Sequence, residues 1–518
     1  MLAVAVGAVV FSLLSVRASS SFSSNIIANA RRTIFSKVNG LSFEQFSQIG
    51  TGSLITRITE DVSWVEEVLT QAPYMFVAAP ITFIGGIILS FRGDWLIPLI
   101  ILGVSAVVLF VSVIVTTRLG KYWELGDKLS DEQNRAMRER LSGIRVVRAF
   151  DKEAYEHKRV ATATTRMNNC FVHNNIISGL ISPLVSLALN LTTVVVIYIG
   201  AIRLQNSDTL RAGDIVATIQ YIALIVNAVL ILSWGISMIP EAKVSLDRIG
   251  NILDFENPHE ESIANDGKRQ LDGSIQFDHV DFAYENAQAN ALTDISFDIQ
   301  SGDIVGIIGG TGSGKSTLVK LIMDFYATTG GTRIFDGINY NELAPSQVRD
   351  NVSIALQKAT IFEGTIAENI KLGNAEATDE QIKKVLEVSQ MADFVSSQAE
   401  GINYKLTQAG NNISGGQKQR INIARAIIKN ASVYIFDDSF SALDFLTESN
   451  LRKALNKYLD GKTQIVITQR AATAMRCDKV YVLDRGKVVG FGTHEQLLKD
   501  CPTYREIYQS QLGGGINE

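Results

Sequence analysis

Long uncharged stretches in the first half constrain the fold of this 518-residue chain more than any other feature. Four apolar runs, at about 72–91, 95–117, 176–202 and 215–239, are long enough to cross a bilayer as helices, since a span needs roughly 20 residues. A shorter run at 2–16 lacks the cationic start of a secretory signal, so we interpret it as the inner end of a spanning helix whose beginning is absent. The first half is therefore predicted to be an all-α transmembrane bundle with five spans.

Charge placement orients these spans. The segments 17–65 and 118–170 are rich in Arg and Lys, whereas the linkers 91–94 and 204–213 are short and carry few charges. The positive-inside tendency places the two long segments in the cytosol and the short linkers outside. Five crossings then deliver the C-terminal half to the cytosol. A cleaved signal at the start would leave only four crossings and put that half outside, which argues against the signal interpretation.

Both cytosolic segments have apolar residues at helical spacing, so each is expected to pack a face against another domain. These residues are Leu41, Phe43 and Phe46 in the first segment and Leu141, Ile144, Val147 and Phe150 in the second.

The C-terminal half has the pattern of a soluble α/β domain. A net charge of −5 gives no reason to expect nucleic acid as a partner. The three cysteines form no Cys-x-x-Cys pair, which excludes a disulfide framework and a cysteine-rich metal site.

A phosphate-binding loop follows an apolar strand near residue 305. Glycines let consecutive backbone N–H groups point at a phosphate chain, and the start of the next helix adds partial positive charge. Lys315 can reach the terminal phosphates and the Ser316 hydroxyl can ligate Mg²⁺. The predicted loop comprises Gly309, Gly310, Thr311, Gly312, Ser313, Gly314, Lys315, Ser316 and Thr317.

Two further motifs accompany the loop. A second apolar strand, at 433–436, ends in Asp437 and Asp438, and a carboxylate at such a strand end is where Mg²⁺ is normally held, so Asp437 is the predicted metal ligand. A helix opens with the motif Ser414-Gly415-Gly416-Gln417, a second anion-binding helix start.

With these motifs the chain resembles the ATP-binding cassette (ABC) family, specifically an exporter half-transporter, over nearly its whole length. The resemblance implies ATP and Mg²⁺ as cofactors, an all-α transmembrane bundle followed by an α/β P-loop NTPase domain, and a cell-membrane location with that domain in the cytoplasm. It implies that Tyr284 stacks on adenine and that Gln357 joins Mg²⁺ to the membrane-facing contacts. Ser414 to Gln417 would close over ATP held by another subunit, and 441–444 would cross between the two sites.

Two positions depart from the family pattern where hydrolysis takes place. Asp438 stands where the family normally has Glu, the base or orienter of the attacking water, and Gln469 stands where it usually has His. Binding should survive because the phosphate loop and Asp437 are intact, whereas hydrolysis should be slow. This pair of changes resembles the degenerate-site subunit of heterodimeric bacterial multidrug exporters.

The expected organisation is a transmembrane domain at 1–250, a linker at 251–272, an ATP-binding domain at 273–512 and a tail at 513–518. The expected partners are a second ABC half-transporter, membrane lipid, and a small-molecule, lipid or peptide cargo that the sequence does not identify. Two alternatives stay open: a homodimeric, fully active exporter, and a non-transporting, ATP-binding regulatory subunit. The family has six spans per half, so the missing first span is expected to reflect either an internal start in the gene model or a natural truncation.

Overall fold

The computed structural model describes residues 2–91, 95–206, 211–255, 269–285 and 287–512. The predicted tail, most of the predicted linker, and parts of both predicted external loops lie outside these residues.

The chain divides into two compact units. One comprises Met1–Gly40 and Ile49–Phe255, and the other comprises Leu41–Gln48 and Glu256–Glu518. The short segment Leu41–Gln48 therefore groups with the C-terminal half of the chain rather than with its neighbours in sequence.

The N-terminal unit is helical throughout its described residues. Two π-helical turns, Arg57–Asp61 and Tyr74–Ala78, join the three α-helices between residues 51 and 90 into one continuous rod. The helices up to residue 255 are α1 (Leu2–Asn39), α2 (Phe43–Ile49), α3 (Thr51–Thr56), α4 (Val62–Pro73), α5 (Ala79–Ser90), α6 (Leu96–Ser142), α7 (Ile144–Ala149), α8 (Glu153–Gly179), α9 (Ile181–Asn206) and α10 (Ala212–Leu253).

Within the described residues, 5 helical stretches are long and apolar enough to cross a membrane, and each overlaps one of the five predicted apolar runs. The helices extend well beyond those runs, because the polar segments that flank them continue the same helices. Large apolar side chains cover their outer surface; Ile88, for example, is 63% exposed and Phe110 is 67% exposed. So much exposed apolar surface suits lipid rather than water.

Close helix packing holds the centre of this unit together. Ile87 of α5, Ile101 of α6 and Ile225 of α10 belong to one buried cluster. A Cβ at Gly86 would come within 2.7 Å of Cγ1 of Ile225, so glycine permits the close approach of α5 and α10.

The C-terminal unit contains three sheets. Its strands are β1 (Ile275–Phe282), β2 (Leu292–Ile299), β3 (Ile304–Ile308), β4 (Gly330–Phe335), β5 (Ile338–Asn339), β6 (Val352–Ala355), β7 (Gly364–Thr365), β8 (Lys405–Leu406), β9 (Val433–Asp437), β10 (Thr463–Thr468), β11 (Lys479–Asp484) and β12 (Lys487–Gly492). A four-stranded antiparallel sheet has the order β2-β1-β4-β5, a six-stranded sheet has the order β12-β11-β3-β10-β9-β6, and β7 pairs with β8.

The six-stranded sheet sets the position of the predicted site. Strands β11, β3, β10, β9 and β6 run parallel, and only the edge strand β12 is antiparallel to its neighbour. Their apolar runs are almost fully buried, as is typical of a parallel sheet covered on both faces. The carboxyl ends of β3, β10 and β9 consequently lie side by side at one edge, where ligands bind in open α/β sheets.

Helices complete this unit around two buried apolar clusters. They are α11 (Lys315–Ile322), α12 (Pro345–Asn351), α13 (Ile366–Lys371), α14 (Asp379–Val388), α15 (Ala392–Ser397), α16 (Gly415–Ile427), α17 (Phe445–Tyr458), α18 (Ala471–Ala474), α19 (His494–Asp500) and α20 (Pro502–Leu512).

Candidate nucleotide-binding site

A cavity of about 540 Å³ opens at the carboxyl ends of β3, β9 and β10. It brings together residues that are far apart in sequence, because the three parallel strands end at the same edge. Its lining consists of Asn290, Ala291, Thr311, Gly312, Ser313, Gly314, Lys315, Ser316, Thr317, Gln357, Asp437, Asp438, Gln469, Arg485 and Gly486.

Two glycines give the predicted phosphate loop its shape. A Cβ at Gly309 would lie 2.3 Å from the carbonyl oxygen of Leu483, which leaves no room for a side chain. Gly314 has a φ of +103° and caps α11, and a Cβ there would lie 2.6 Å from Cδ2 of Leu292. The loop therefore requires glycine at both positions, which explains their spacing in the motif.

Lys315 is held inside the loop. Its Nζ donates hydrogen bonds to the carbonyl oxygens of Gly309 at 2.8 Å and Gly310 at 2.7 Å, and it lies 3.3 Å from Oγ of Ser313. Burial lowers the pKa of Lys315, and the carboxylates of Asp437 and Asp438 partly offset that effect. The ammonium group is thus fixed where it can meet a phosphate chain.

Asp437 ends β9, is 8% exposed, and lies in an environment that disfavours its charge. Burial, with a smaller contribution from Asp438, raises the pKa of Asp437 from 3.8 to about 6, although Lys315 lowers it. Burial also raises the pKa of Asp438, against the opposing effect of Arg470 and Lys315. A buried carboxylate with too little positive charge nearby is a group that a cation would stabilise.

Asp438 and Gln469 occupy neighbouring places at this edge. The Asp438 backbone has a φ of 44°, a left-handed conformation that Asp tolerates better than most residues, and its N–H donates to the carbonyl oxygen of Ile467 at 2.9 Å. Gln469 follows β10 immediately, and its Oε1 accepts a hydrogen bond of 3.4 Å from the Thr311 hydroxyl. Both departures from the family pattern therefore face the same cavity.

Gln357 lines the cavity from the segment after β6. The residue before it is fixed by helix α16, because the Leu356 carbonyl oxygen accepts hydrogen bonds from Asn422 at 2.9 Å and Gln419 at 3.2 Å. These two amides tie the Gln357 segment to the helix that begins with the Ser414 motif. Sequence reasoning did not identify them.

Tyr284 is not among the residues that line the cavity within the described part of the chain. Its hydroxyl lies 3.0 Å from Oγ1 of Thr317, and its ring packs edge-on against Phe282 and Tyr326. Lys320 lies over the ring at 5.2 Å and donates to the hydroxyl. Tyr284 thus lies beside the end of the phosphate loop, with its role toward adenine still a prediction.

The Ser414 motif opens α16 as a capping box. The Ser414 Oγ accepts from the Gln417 N–H at 3.3 Å, and the Gln417 side chain accepts from the Ser414 N–H at 2.8 Å. Of the described residues that line the cavity, none belongs to the set Ser414, Gly415, Gly416 and Gln417. The structure therefore does not bring this motif to the chain's own phosphate loop.

Four lining residues, Asn290, Ala291, Arg485 and Gly486, were missed by the sequence analysis. Arg485 and Gly486 form the tight turn between β11 and β12, with positive φ values of 46° and 76°. The Gly486 N–H donates to the carbonyl oxygen of Ser313 at 3.0 Å, so the turn supports the phosphate loop. The Arg-Gly pair between two strands was the available signal, and it indicates a hairpin turn rather than a binding site.

A phosphate loop, a buried strand-end carboxylate and a polar residue after the intervening strand can together hold a nucleoside triphosphate. Membrane-spanning helices followed by this site define a nucleotide-driven, multi-pass membrane protein.

Comparisons with known proteins give the family. Residues 1–229 match the model of the ABC transporter transmembrane region, and residues 292–441 match the ABC transporter model. An uncharacterised ABC transporter ATP-binding protein of Mycobacterium bovis is 34% identical over 488 residues, which cover 93% of this chain and 83% of that relative. The chain belongs to the ABC transporter family, with an ATP-hydrolysing domain in the cytoplasm.

Two further proteins are similar along most of their length. The ATP-dependent lipid A-core flippase of Bordetella avium is 29% identical, covering 94% of this chain and 82% of the flippase. The structure of a bacterial Atm1-family ABC exporter with ATP bound superposes with a TM-score of 0.85 at 22% identity, covering 97% of this chain and 89% of the other. The fold is therefore that of an ABC exporter half-transporter.

Proposed function

We propose that this chain is one half of a heterodimeric ABC exporter whose own site binds ATP but hydrolyses it slowly. Its Ser414–Gln417 motif would complete the catalytic site of the partner. One observation carries the proposal: Asp438 and Gln469, the two departures from the family pattern, both line the cavity that contains the phosphate loop. The phosphate loop and Asp437 match the family pattern, whereas Asp438 and Gln469, which would act during hydrolysis, depart from it.

The residues present fit a Mg²⁺ ion. The Asp437 carboxylate, the Ser316 hydroxyl and the Gln357 amide line one cavity and offer the hard oxygen donors that Mg²⁺ prefers. Mg²⁺ would supply charge neutralisation on the phosphates. Lys315 would bind the terminal phosphates, while the N–H groups of the loop would orient the chain of phosphates for transfer to water.

Hydrolysis is expected to be slow for two reasons. Asp438 is one methylene shorter than Glu, so its carboxylate sits more than about an ångström farther from an in-line water, and such a displacement can cost about a hundredfold in rate. Gln469 can donate a hydrogen bond to the γ-phosphate but cannot carry the positive charge of an imidazolium.

The Ser414 motif supports a role in another subunit's site. Its capping box is intact, Ser414 and Gly415 are exposed, and neither residue lines the chain's own cavity. The free N–H groups at the start of α16 can therefore receive the phosphates of an ATP bound elsewhere. A degenerate-site subunit has to keep this motif, because the partner's catalysis depends on it.

The second cytosolic segment offers a contact for that subunit. Leu141 and Phe150, two residues of the apolar face that the sequence predicts to be packed, are each 71% exposed. Both side chains flank the short helix α7, outside the apolar runs that suit lipid. We infer that the partner covers them.

ATP binding would clamp the two ATP-binding domains together, and hydrolysis at the partner's site would release them and reset access across the membrane. The apolar spanning helices suit a drug, lipid or peptide cargo, and the flippase relative favours a lipid.

ATPase assays on the purified chain, alone and with a co-encoded half-transporter, separate the candidate functions. Our proposal predicts turnover only with the partner, and its loss in Ser414→Arg. The matched control is Thr378→Arg, which breaks the same kind of capping box at α14, away from the cavity. Strong turnover by the chain alone indicates the homodimeric exporter. ATP binding without partner-dependent turnover indicates the regulatory subunit.

A further inference from the structure

The last helix of the described chain is bonded to the loop that carries Gln469. Nε2 of Gln511, on α20, donates to the carbonyl oxygen of Gln469 at 2.8 Å. Oε1 of the same side chain accepts from the N–H of Ala471, also at 2.8 Å. One side-chain amide therefore bridges the two ends of the turn between β10 and α18. It provides hydrogen-bond partners for the Gln469 carbonyl oxygen and the Ala471 N–H, which lie between the strand and the helix.

Apolar packing determines where Gln511 lies. Tyr504 is fully buried, and its hydroxyl lies 2.8 Å from Nδ1 of His494. Ile507 and Tyr508 pack against the larger apolar cluster of the C-terminal unit. Positions 504, 507, 508 and 511 share one face of a helix, so these anchors direct Gln511 toward the loop.

The side chain of Gln469 continues the connection into the cavity. Its Oε1 accepts from the hydroxyl of Thr311, a residue of the phosphate loop. Gln469 is thus held through its backbone by Gln511 and faces the phosphate loop with its side chain. Gln511 itself is not among the described residues that line the cavity.

We propose that Gln511 is a positioning residue for the ATP site, through which the C-terminal helix fixes the Gln469 amide against the terminal phosphate. The proposal rests on the role proposed above for Gln469. ADP lacks the terminal phosphate that Gln469 would contact. The Gln511 bridge should therefore strengthen the binding of ATP and leave the binding of ADP unchanged.

The test measures Mg·ATP and Mg·ADP affinities of the full chain in lipid nanodiscs. Gln511→Leu removes both hydrogen bonds and should weaken ATP binding about three- to tenfold, the value of about one hydrogen bond, with ADP affinity unchanged. Gln511→Glu keeps the acceptor for Ala471 but loses the donor to Gln469, and should also weaken ATP binding selectively. Gln509→Leu makes the same chemical change at an exposed position of α20 and should leave both affinities unchanged.

Gln469→Ala separates this proposal from the proposed role of Gln469. If Gln469→Ala leaves the preference for ATP over ADP unchanged, Gln469 does not contact the terminal phosphate, and both proposals about this contact are wrong. If Gln469→Ala reduces that preference and Gln511→Leu does not, only the positioning role of Gln511 is wrong. Equal losses of ATP and ADP affinity in Gln511→Leu would also overturn it, since they would indicate general damage to the fold. In the double variant, Gln511→Leu should add nothing to Gln469→Ala.

Discussion

The ring of Phe43 stacks on the ring of Phe325, with the centroids 5.2 Å apart and the planes inclined by 14°. Phe43 belongs to the first cytosolic segment, and Phe325 lies just beyond α11, the helix that follows the phosphate loop. Tyr326 meets the same ring edge-on, and Lys320 lies over it at 5.6 Å. Because Lys320 also lies over Tyr284, the segment contacts the structure that frames the nucleotide site.

Phe43→Ala should separate nucleotide binding from the response of the spanning helices. The substitution removes an aromatic contact worth about 1 kcal/mol beyond its buried area but leaves the cavity lining intact. We expect MgATP to protect 309–317 from hydrogen exchange as in the wild type, while the ATP-induced change in exchange of the spanning helices becomes smaller. Phe43→Tyr, which keeps the ring, is the control. If the ATP-induced change in exchange of the spanning helices is the same in Phe43→Ala as in the wild type, the Phe43 contact does not transmit nucleotide binding to those helices.

Lys315→Ala should weaken ATP binding by at least about tenfold. The ammonium group is a charge-assisted donor, held in the loop by the carbonyl oxygens of Gly309 and Gly310, where it can meet the terminal phosphates. Titration of the full chain with a fluorescent ATP analogue measures the change. Lys384→Ala, at an exposed position of α14, should bind as the wild type does. Unchanged affinity in Lys315→Ala would contradict the assignment of the loop.

The raised pKa of Asp437 predicts a pH-dependent stability. Since the folded protein holds this proton up to about pH 6 and the unfolded chain releases it near 3.8, the contribution of Asp437 to stability falls as pH rises between these values. Without nucleotide at pH 7.5, Asp437→Asn should therefore have a larger free energy of unfolding than the wild type, by at most about 3 kcal/mol. It should accordingly unfold at a higher temperature. The difference should shrink below pH 6 and vanish near pH 4.

The control for this comparison is Asp460→Asn, which replaces an exposed carboxylate on the surface. Its melting curve should follow that of the wild type at every pH. If Asp437→Asn also follows the wild type, the Asp437 carboxyl does not titrate as its burial requires. Thermal unfolding followed by intrinsic fluorescence provides the measurement.

The sequence was sufficient for features that depend on local pattern. Apolar runs located the spans, and the glycine spacing located the loop, because a backbone contact at Gly309 and a positive φ at Gly314 both disfavour a side chain. It could not reveal contacts made by tertiary packing. Nothing near Gln511 indicates that its amide reaches Gln469, and nothing near Phe150 indicates that the ring is exposed rather than packed. Such contacts depend on which helices and strands pack against each other in the folded chain, and a single sequence does not reveal that packing.

We propose that this chain's own site holds ATP without splitting it efficiently. The direct measurement is the identity of the nucleotide at that site after one round of turnover by the complex with its partner, using a photoreactive ATP labelled on the α-phosphate and crosslinked to this chain. The wild type should retain mostly ATP, and the double variant Asp438→Glu with Gln469→His should contain mostly ADP. Mostly ADP in the wild type would instead show that this chain's own site hydrolyses ATP efficiently.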